Sequence, residues 1–112
     1  MHFFKQLLAV AAIAVSTMAN AEPGISDTKI TIGMSGPFSG TNGAYGVDMR
    51  TVIQTYFDQV NKTGGVNGRR LELVALDDGY ETDRTVANTK ALIDEKNAFA
   101  LLAFYGSSPT TE

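Results

Sequence analysis

Three hydroxyl side chains follow a continuous apolar run near the end of the chain and could bind an anion. Ser107, Ser108 and Thr110 come shortly after the apolar residues 98–104, and Pro109 between them favours the first turn of a helix. Backbone N–H groups at a helix N-terminus lack partners within the helix, and together with the hydroxyls they would suit a carboxylate. A simple helix N-cap formed by Ser107 or Ser108 is an equal alternative.

Two aromatic residues flank a glycine-rich loop that follows the first strand pattern. Phe38 lies within this loop and Tyr45 stands at its far end. Either ring could form the wall of a pocket for the apolar body of a ligand, or could pack in the hydrophobic core. The loop lacks the G-x-G-x-x-G spacing of a dinucleotide site and Pro37 interrupts it, so we expect no nucleotide cofactor.

An acidic cluster stands where the second strand pattern ends. Asp77, Asp78 and Glu81 could meet the ammonium group of a ligand or a cation, but we favour a solvated strand end. No acid/base partner accompanies these carboxylates, which makes glycosidase chemistry a weak interpretation. They are therefore not assigned a catalytic role.

Composition excludes several other classes of function. The single histidine is His2 and the chain has no cysteine, so the remaining residues form neither a histidine-based metal cluster nor a catalytic triad. The net charge of −3 argues against a nucleic-acid or anionic-membrane partner. These observations weaken most hydrolytic and metal-assisted functions, and we expect no metal or other cofactor.

The N-terminal segment, residues 1–21, has the pattern of a secretory signal peptide. Lys5 precedes the unbroken apolar residues 7–15, and Ala19 and Ala21 supply small side chains where a signal peptidase reads them. The apolar run is too short to span a membrane, which takes about 20 residues. We expect cleavage after Ala21 and a periplasmic location.

The rest of the chain alternates strand and helix patterns in the order βαβαβ. Strands are expected at residues 29–34, 70–76 and 98–104, and helices at residues 45–61 and from residue 82 to about residue 97. Right-handed crossovers with the helices on opposite faces predict a Rossmann-like α/β fold with a parallel sheet in strand order 2-1-3. This order places the loops after strands one and three side by side, at the edge where such sheets bind ligands.

The sequence stops where a third helix would begin, and an apolar third strand would then leave an uncovered sheet edge. We interpret residues 22–112 as a domain that is incomplete at its C-terminus, and the chain as a fragment of a longer protein.

Three segments resemble a known family: SGPFSG, GAYGVDM and GGVNGRRLELVALDDGYETDRTVANTKALI. They are similar to the N-terminal lobe of type I periplasmic solute-binding proteins of ABC importers, in the leucine/isoleucine/valine-binding family. The resemblance covers residues 28–110. It implies two Rossmann-like lobes that close on a small solute, and a closed form that docks on a membrane permease.

The resemblance also implies roles for particular residues. Ser107 and Ser108 match the hydroxyls that hold the carboxylate of an amino acid, and Tyr45, directly before Gly46, matches the aromatic residue that packs on the ligand. It implies a monomeric subunit that takes an amino acid or a related carboxylate. The ligand-sensing domain of a receptor or regulator with the same fold is the alternative.

Overall fold

The computed structural model describes residues 22–112, so the expected signal peptide and its cleavage after Ala21 lie outside the described residues. Strands and helices alternate along the described chain: β1 (Lys29–Gly36), α1 (Gly43–Lys62), β2 (Arg70–Asp77), α2 (Thr82–Asp94) and β3 (Ala100–Leu101). The strands are parallel and are ordered β2-β1-β3. The predicted α/β fold with strand order 2-1-3 is confirmed.

The second half of the central strand β1 is buried, and its side chains differ in size between the two faces. Met34 is fully buried in the core. The alternate positions are small because α2 packs on them: the Leu92 side chain lies 3.1 Å from where a Cβ of Gly33 would stand. On the same face, Ser35 accepts a hydrogen bond from the Asn88 side chain of α2. Small residues in β1 thus allow α2 to approach the sheet.

Helix α1 begins at Gly43, two residues before the predicted start at Tyr45, and ends at Lys62, one residue after the predicted end. Gly64 and Gly65 follow it with φ angles of 101° and 75°, a region that L side chains rarely adopt. The Gly65 N–H donates to the Val60 carbonyl and closes the helix end. The chain then reverses into β2.

The third strand is shorter than predicted. The apolar run covers residues 98–104, but only Ala100–Leu101 pairs as a strand. The last hydrogen bond to β1 runs from the Leu102 N–H to the Gly33 carbonyl over 2.8 Å. Ala103 then takes a φ of 59° and turns the chain away from the sheet.

The apolar side chains at the end of β3 are partly exposed. Leu101 is 39% exposed, and Leu102, directly after β3, is 43% exposed. Within residues 22–112, neither helix combines the length and apolarity that a membrane crossing requires.

Candidate functional site

Three segments meet at the carboxyl edge of the sheet. They are loop 1 (residues 37–42) after β1, the β2–α2 turn (residues 78–81) and loop 3 (residues 102–110) after β3. Loop 1 is tied to the end of β2 by Asp77, and loop 3 is tied to the start of α2 by Thr82. Ligands of open α/β sheets bind at this edge, which makes it the candidate site.

Three tyrosines form an aromatic cluster at this edge. The Tyr45 and Tyr105 rings are stacked, with centroids 5.7 Å apart and an interplanar angle of 13°. The Tyr80 ring lies tilted against Tyr105, with centroids 6.1 Å apart. Tyr45 is 59% exposed and therefore is not a core residue. Its free surface can pack against a ligand.

The hydroxyl residues of loop 3 lie beside this cluster. Ser107 and Ser108 are exposed, and the Ser108 Oγ is 3.2 Å from the Thr82 Oγ1. Thr110 donates both its N–H and its hydroxyl to the Gly106 carbonyl, which closes a single turn over residues 107–110. Gly106, rather than a serine, therefore holds the capping position, and the two serine side chains do not serve as the cap.

Phe38 occupies a different position from Tyr45. Its ring is half-buried and is covered by the Arg50 guanidinium, which lies 4.5 Å from the ring centroid. Gly46 faces the same loop so closely that a methyl group there would overlap the Pro37 carbonyl. Phe38 thus lies at the base of loop 1 against α1, whereas Tyr45 projects into the aromatic cluster.

The Asp77 carboxylate joins β2 to loop 1. Its Oδ1 accepts the N–H of Phe38 at 2.8 Å and of Gly79 at 2.9 Å, and its Oδ2 accepts the Ser39 hydroxyl at 2.6 Å. The Arg84 guanidinium lies 3.5 Å from Oδ2. Burial by itself would raise the pKa of Asp77, but the hydrogen bonds and the Arg84 charge outweigh it and lower the pKa from 3.8 to about 2.

Asp78 is fully buried and belongs to a second polar network. Its Oδ2 accepts the Ser35 hydroxyl at 2.7 Å and its Oδ1 accepts the Tyr80 N–H at 2.8 Å. Asn88 completes the network by donating to the Ser35 Oγ.

The prediction of a solvated strand end is wrong for Asp78, which is fully buried and bonds to protein donors. It is also wrong for the half-buried Asp77, whose carboxylate accepts three hydrogen bonds from protein donors, whereas Glu81 is exposed. No metal-binding group of three or more side chains occurs in the described part of the chain.

Sequence reasoning did not identify Tyr80 and Tyr105 as parts of the site. Tyr105 directly precedes Gly106 in loop 3, so the juxtaposition of loops 1 and 3 was a usable signal for it. Tyr80 follows β2, and only the three-dimensional path of the β2–α2 turn brings its ring onto loop 3. The pairing of Ser35 with Asp78 had no sequence signal, because the partners are 43 residues apart.

Comparison with known proteins identifies the class to which this fold and site belong. A family model described as periplasmic binding protein matches residues 29–112, so the chain belongs to the periplasmic binding protein family. The predicted family is confirmed, and it is a family of binding proteins rather than enzymes.

Curated relatives narrow the likeness to amino-acid binding proteins. An amino acid binding protein of Pseudomonas aeruginosa is 32% identical over 108 residues, which cover 96% of this chain and 28% of that protein. The leucine-, isoleucine-, valine-, threonine- and alanine-binding protein of the same organism is 33% identical over 94 residues, or 84% of this chain and 23% of that protein.

A solved structure shows the same fold. The branched-chain amino acid transporter substrate-binding protein LivJ of Streptococcus pneumoniae, in complex with isoleucine, aligns with a TM-score of 0.71 and 29% identity. The alignment covers 74% of this chain and 24% of that one. The chain thus spans about a quarter of the length of the relatives it matches.

Proposed function

We propose that residues 22–112 are part of the extracytoplasmic solute-binding subunit of an ABC importer, and that this subunit captures an amino acid such as a branched-chain one. The observation that supports this most is the placement of the Tyr45–Tyr105 stack beside the exposed hydroxyls of loop 3, at the ligand edge of the sheet. The names of the relatives support the choice of an amino acid as ligand.

The two ends of an amino acid would meet different parts of this site. The hydroxyls and early N–H groups of loop 3, at Ser107 and Ser108, would hold the carboxylate. The exposed face of Tyr45 would pack on the apolar side chain. Thr110 supports the turn through the Gly106 carbonyl rather than by offering its own hydrogen to the ligand. Phe38 would shape the base of loop 1 under Arg50.

Capture requires a second lobe, because one open surface leaves much of a ligand in water. In the whole protein the two lobes would close about a hinge around the ligand, as periplasmic binding proteins do. We propose that the closed, monomeric protein then docks on a permease in the inner membrane. The net negative charge argues against a nucleic-acid partner, and the signal-peptide pattern of residues 1–21 supports export to the periplasm.

Two measurements on the full-length protein test this function. Isothermal titration with leucine, isoleucine and valine, with glucose as a control solute, should show binding of an amino acid and none of glucose. Deletion of the gene should then reduce uptake of the radiolabelled amino acid by intact cells. Binding with undiminished uptake would instead favour a sensor domain, and the absence of binding to any of the twenty amino acids would overturn the proposal.

A further inference from the structure

The β2–α2 turn and the first residue of α2 contact loop 3 at three positions. The Tyr80 ring lies against the Tyr105 ring, and it also lies against the backbone of Gly106. Two residues further along each segment, the Thr82 hydroxyl at the start of α2 lies 3.2 Å from the Ser108 hydroxyl. Loop 3 is therefore braced by the β2–α2 turn, although the two are linked in the chain through all of α2 and β3.

Tyr80 is held in a backbone conformation that is costly for its residue type. Its φ is 67°, in the left-handed region that a glycine adopts readily and a tyrosine does not. The Asp78 Oδ1 accepts the Tyr80 N–H at 2.8 Å, and Asp78 is itself fully buried and bonded to Ser35. This buried anchor fixes the direction in which the tyrosine ring points.

Gly106 provides the surface on which the Tyr80 ring lies. Gly106 has a φ of 107°, and a Cβ there would stand 2.5 Å from the Tyr80 Cε2 and 3.0 Å from the Pro109 Cδ. The ring therefore packs directly on the backbone of loop 3, one residue before Ser107. A shift of this ring would allow the serine hydroxyls to move.

We propose that Tyr80 is a positioning residue that fixes loop 3 so that Ser107 and Ser108 face the carboxylate of the ligand. This inference rests on the proposed function, since it assigns the loop 3 hydroxyls to a carboxylate. Tyr80 acts through Gly106 and Tyr105 rather than by touching the solute.

The test compares affinity for a carboxylate ligand with affinity for its neutral amide. The full-length protein and its Tyr80→Gly variant are titrated with L-leucine and L-leucinamide. Glycine tolerates the backbone angle at position 80, so this variant removes the ring without straining the turn. We expect the ratio of the affinity for leucine to that for leucinamide to fall about tenfold. This fall corresponds to the loss of roughly one well-placed hydrogen bond to a charged group.

Two further variants serve as controls. Tyr80→Phe keeps the ring and should retain the preference of the wild type. Tyr56→Ala removes a tyrosine from the exposed surface of α1, where it is 64% exposed, and should also retain the preference. A purely structural role for Tyr80 would lower affinity for both ligands equally and would leave their ratio unchanged, which would overturn the proposal.

A second readout does not depend on the ligand. Amide hydrogen exchange at residues 106–108 should be faster in Tyr80→Gly than in the wild type and unchanged in Tyr80→Phe. Unchanged exchange in Tyr80→Gly would overturn the positioning role even where the wild type binds leucine. If the wild type binds no amino acid but exchange is faster in Tyr80→Gly, the proposed function is overturned. The role of Tyr80 in holding loop 3 in place would still be supported.

Discussion

The Ser35 hydroxyl donates a 2.7 Å hydrogen bond to the Asp78 carboxylate, and both residues are fully buried beneath the candidate site. Ser35 lies in β1 and Asp78 directly follows β2, so the bond joins two adjacent strands at the edge from which the loops emerge. Asp78 also accepts the Tyr80 N–H, which extends the connection to the aromatic cluster. A single buried carboxylate thus links the sheet to the β2–α2 turn.

Removal of this carboxylate should destabilise the protein. Asp78→Ala would leave the Ser35 hydroxyl and the Tyr80 N–H without their acceptor in the interior. We expect the free energy of unfolding of the full-length protein to fall by about 3 kcal/mol. Chemical denaturation at pH 7 measures this, and Asp94→Ala, at an exposed position at the end of α2, should change it by less than about 0.5 kcal/mol. Equal stability of the two variants would contradict the role of the buried network.

Asp77 should contribute stability that depends on pH. Its pKa in the folded protein is about 2, below the ordinary value of 3.8, so the folded state favours the charged form. The contribution of the Asp77 carboxylate to the free energy of unfolding is complete above about pH 4 to 5 and is lost as the pH falls towards 2. Asp77→Asn should therefore be less stable than the wild type at pH 7, and the difference should shrink between pH 4 and pH 2. Denaturation curves across this range, with Asp94→Asn as the control, measure it; a difference independent of pH would contradict the assignment.

Tyr45 should contribute to ligand affinity through its ring. Tyr45→Ala removes both the exposed face offered to the ligand and the stacking on Tyr105, and we expect about a three- to tenfold loss of affinity for leucine. Tyr45→Phe keeps the ring and should bind almost as well as the wild type. Isothermal titration with leucine measures the affinity of both variants. Tyr56→Ala, which removes an exposed tyrosine outside the site, is the control and should bind like the wild type. Equal affinity of Tyr45→Ala and the wild type would remove Tyr45 from the site.

The hydroxyls of loop 3 should contribute more than Tyr45 does. Replacing Ser107 and Ser108 together by alanine removes two hydrogen-bond donors to a charged group, and we expect at least about a tenfold loss of affinity for leucine. Thr55→Ala, at an exposed hydroxyl on α1, is the control and should bind like the wild type. Unchanged leucine affinity in the double variant would exclude the serine hydroxyls from carboxylate binding.

The alternation of strand and helix patterns was sufficient to predict the fold, because each element carries its own periodicity and end signals. Strand order 2-1-3 followed from the handedness of the crossovers. The short third strand was not predictable in the same way: residues 98–104 are apolar throughout, and only the positive φ of Ala103 ends the pairing.

Prediction of the site was less complete, for a physical reason. Ser107, Ser108 and Tyr45 could be placed near one another because they lie in loops that the topology brings to one edge. The residues around Asp78 in the sequence are typical of a solvent-exposed strand end. They do not show that Ser35, 43 residues earlier, donates a hydrogen bond to its buried carboxylate. Tyr80 was missed for the same reason, because its contacts depend on tertiary structure.

A crystal structure of the full-length protein with bound leucine tests the central claim most directly. We expect the leucine carboxylate to lie within hydrogen-bond distance of the Ser107 or Ser108 hydroxyl or N–H, and the leucine side chain to pack on the Tyr45 ring. A leucine molecule bound away from loop 3, with Ser107 and Ser108 exposed to solvent, would contradict it.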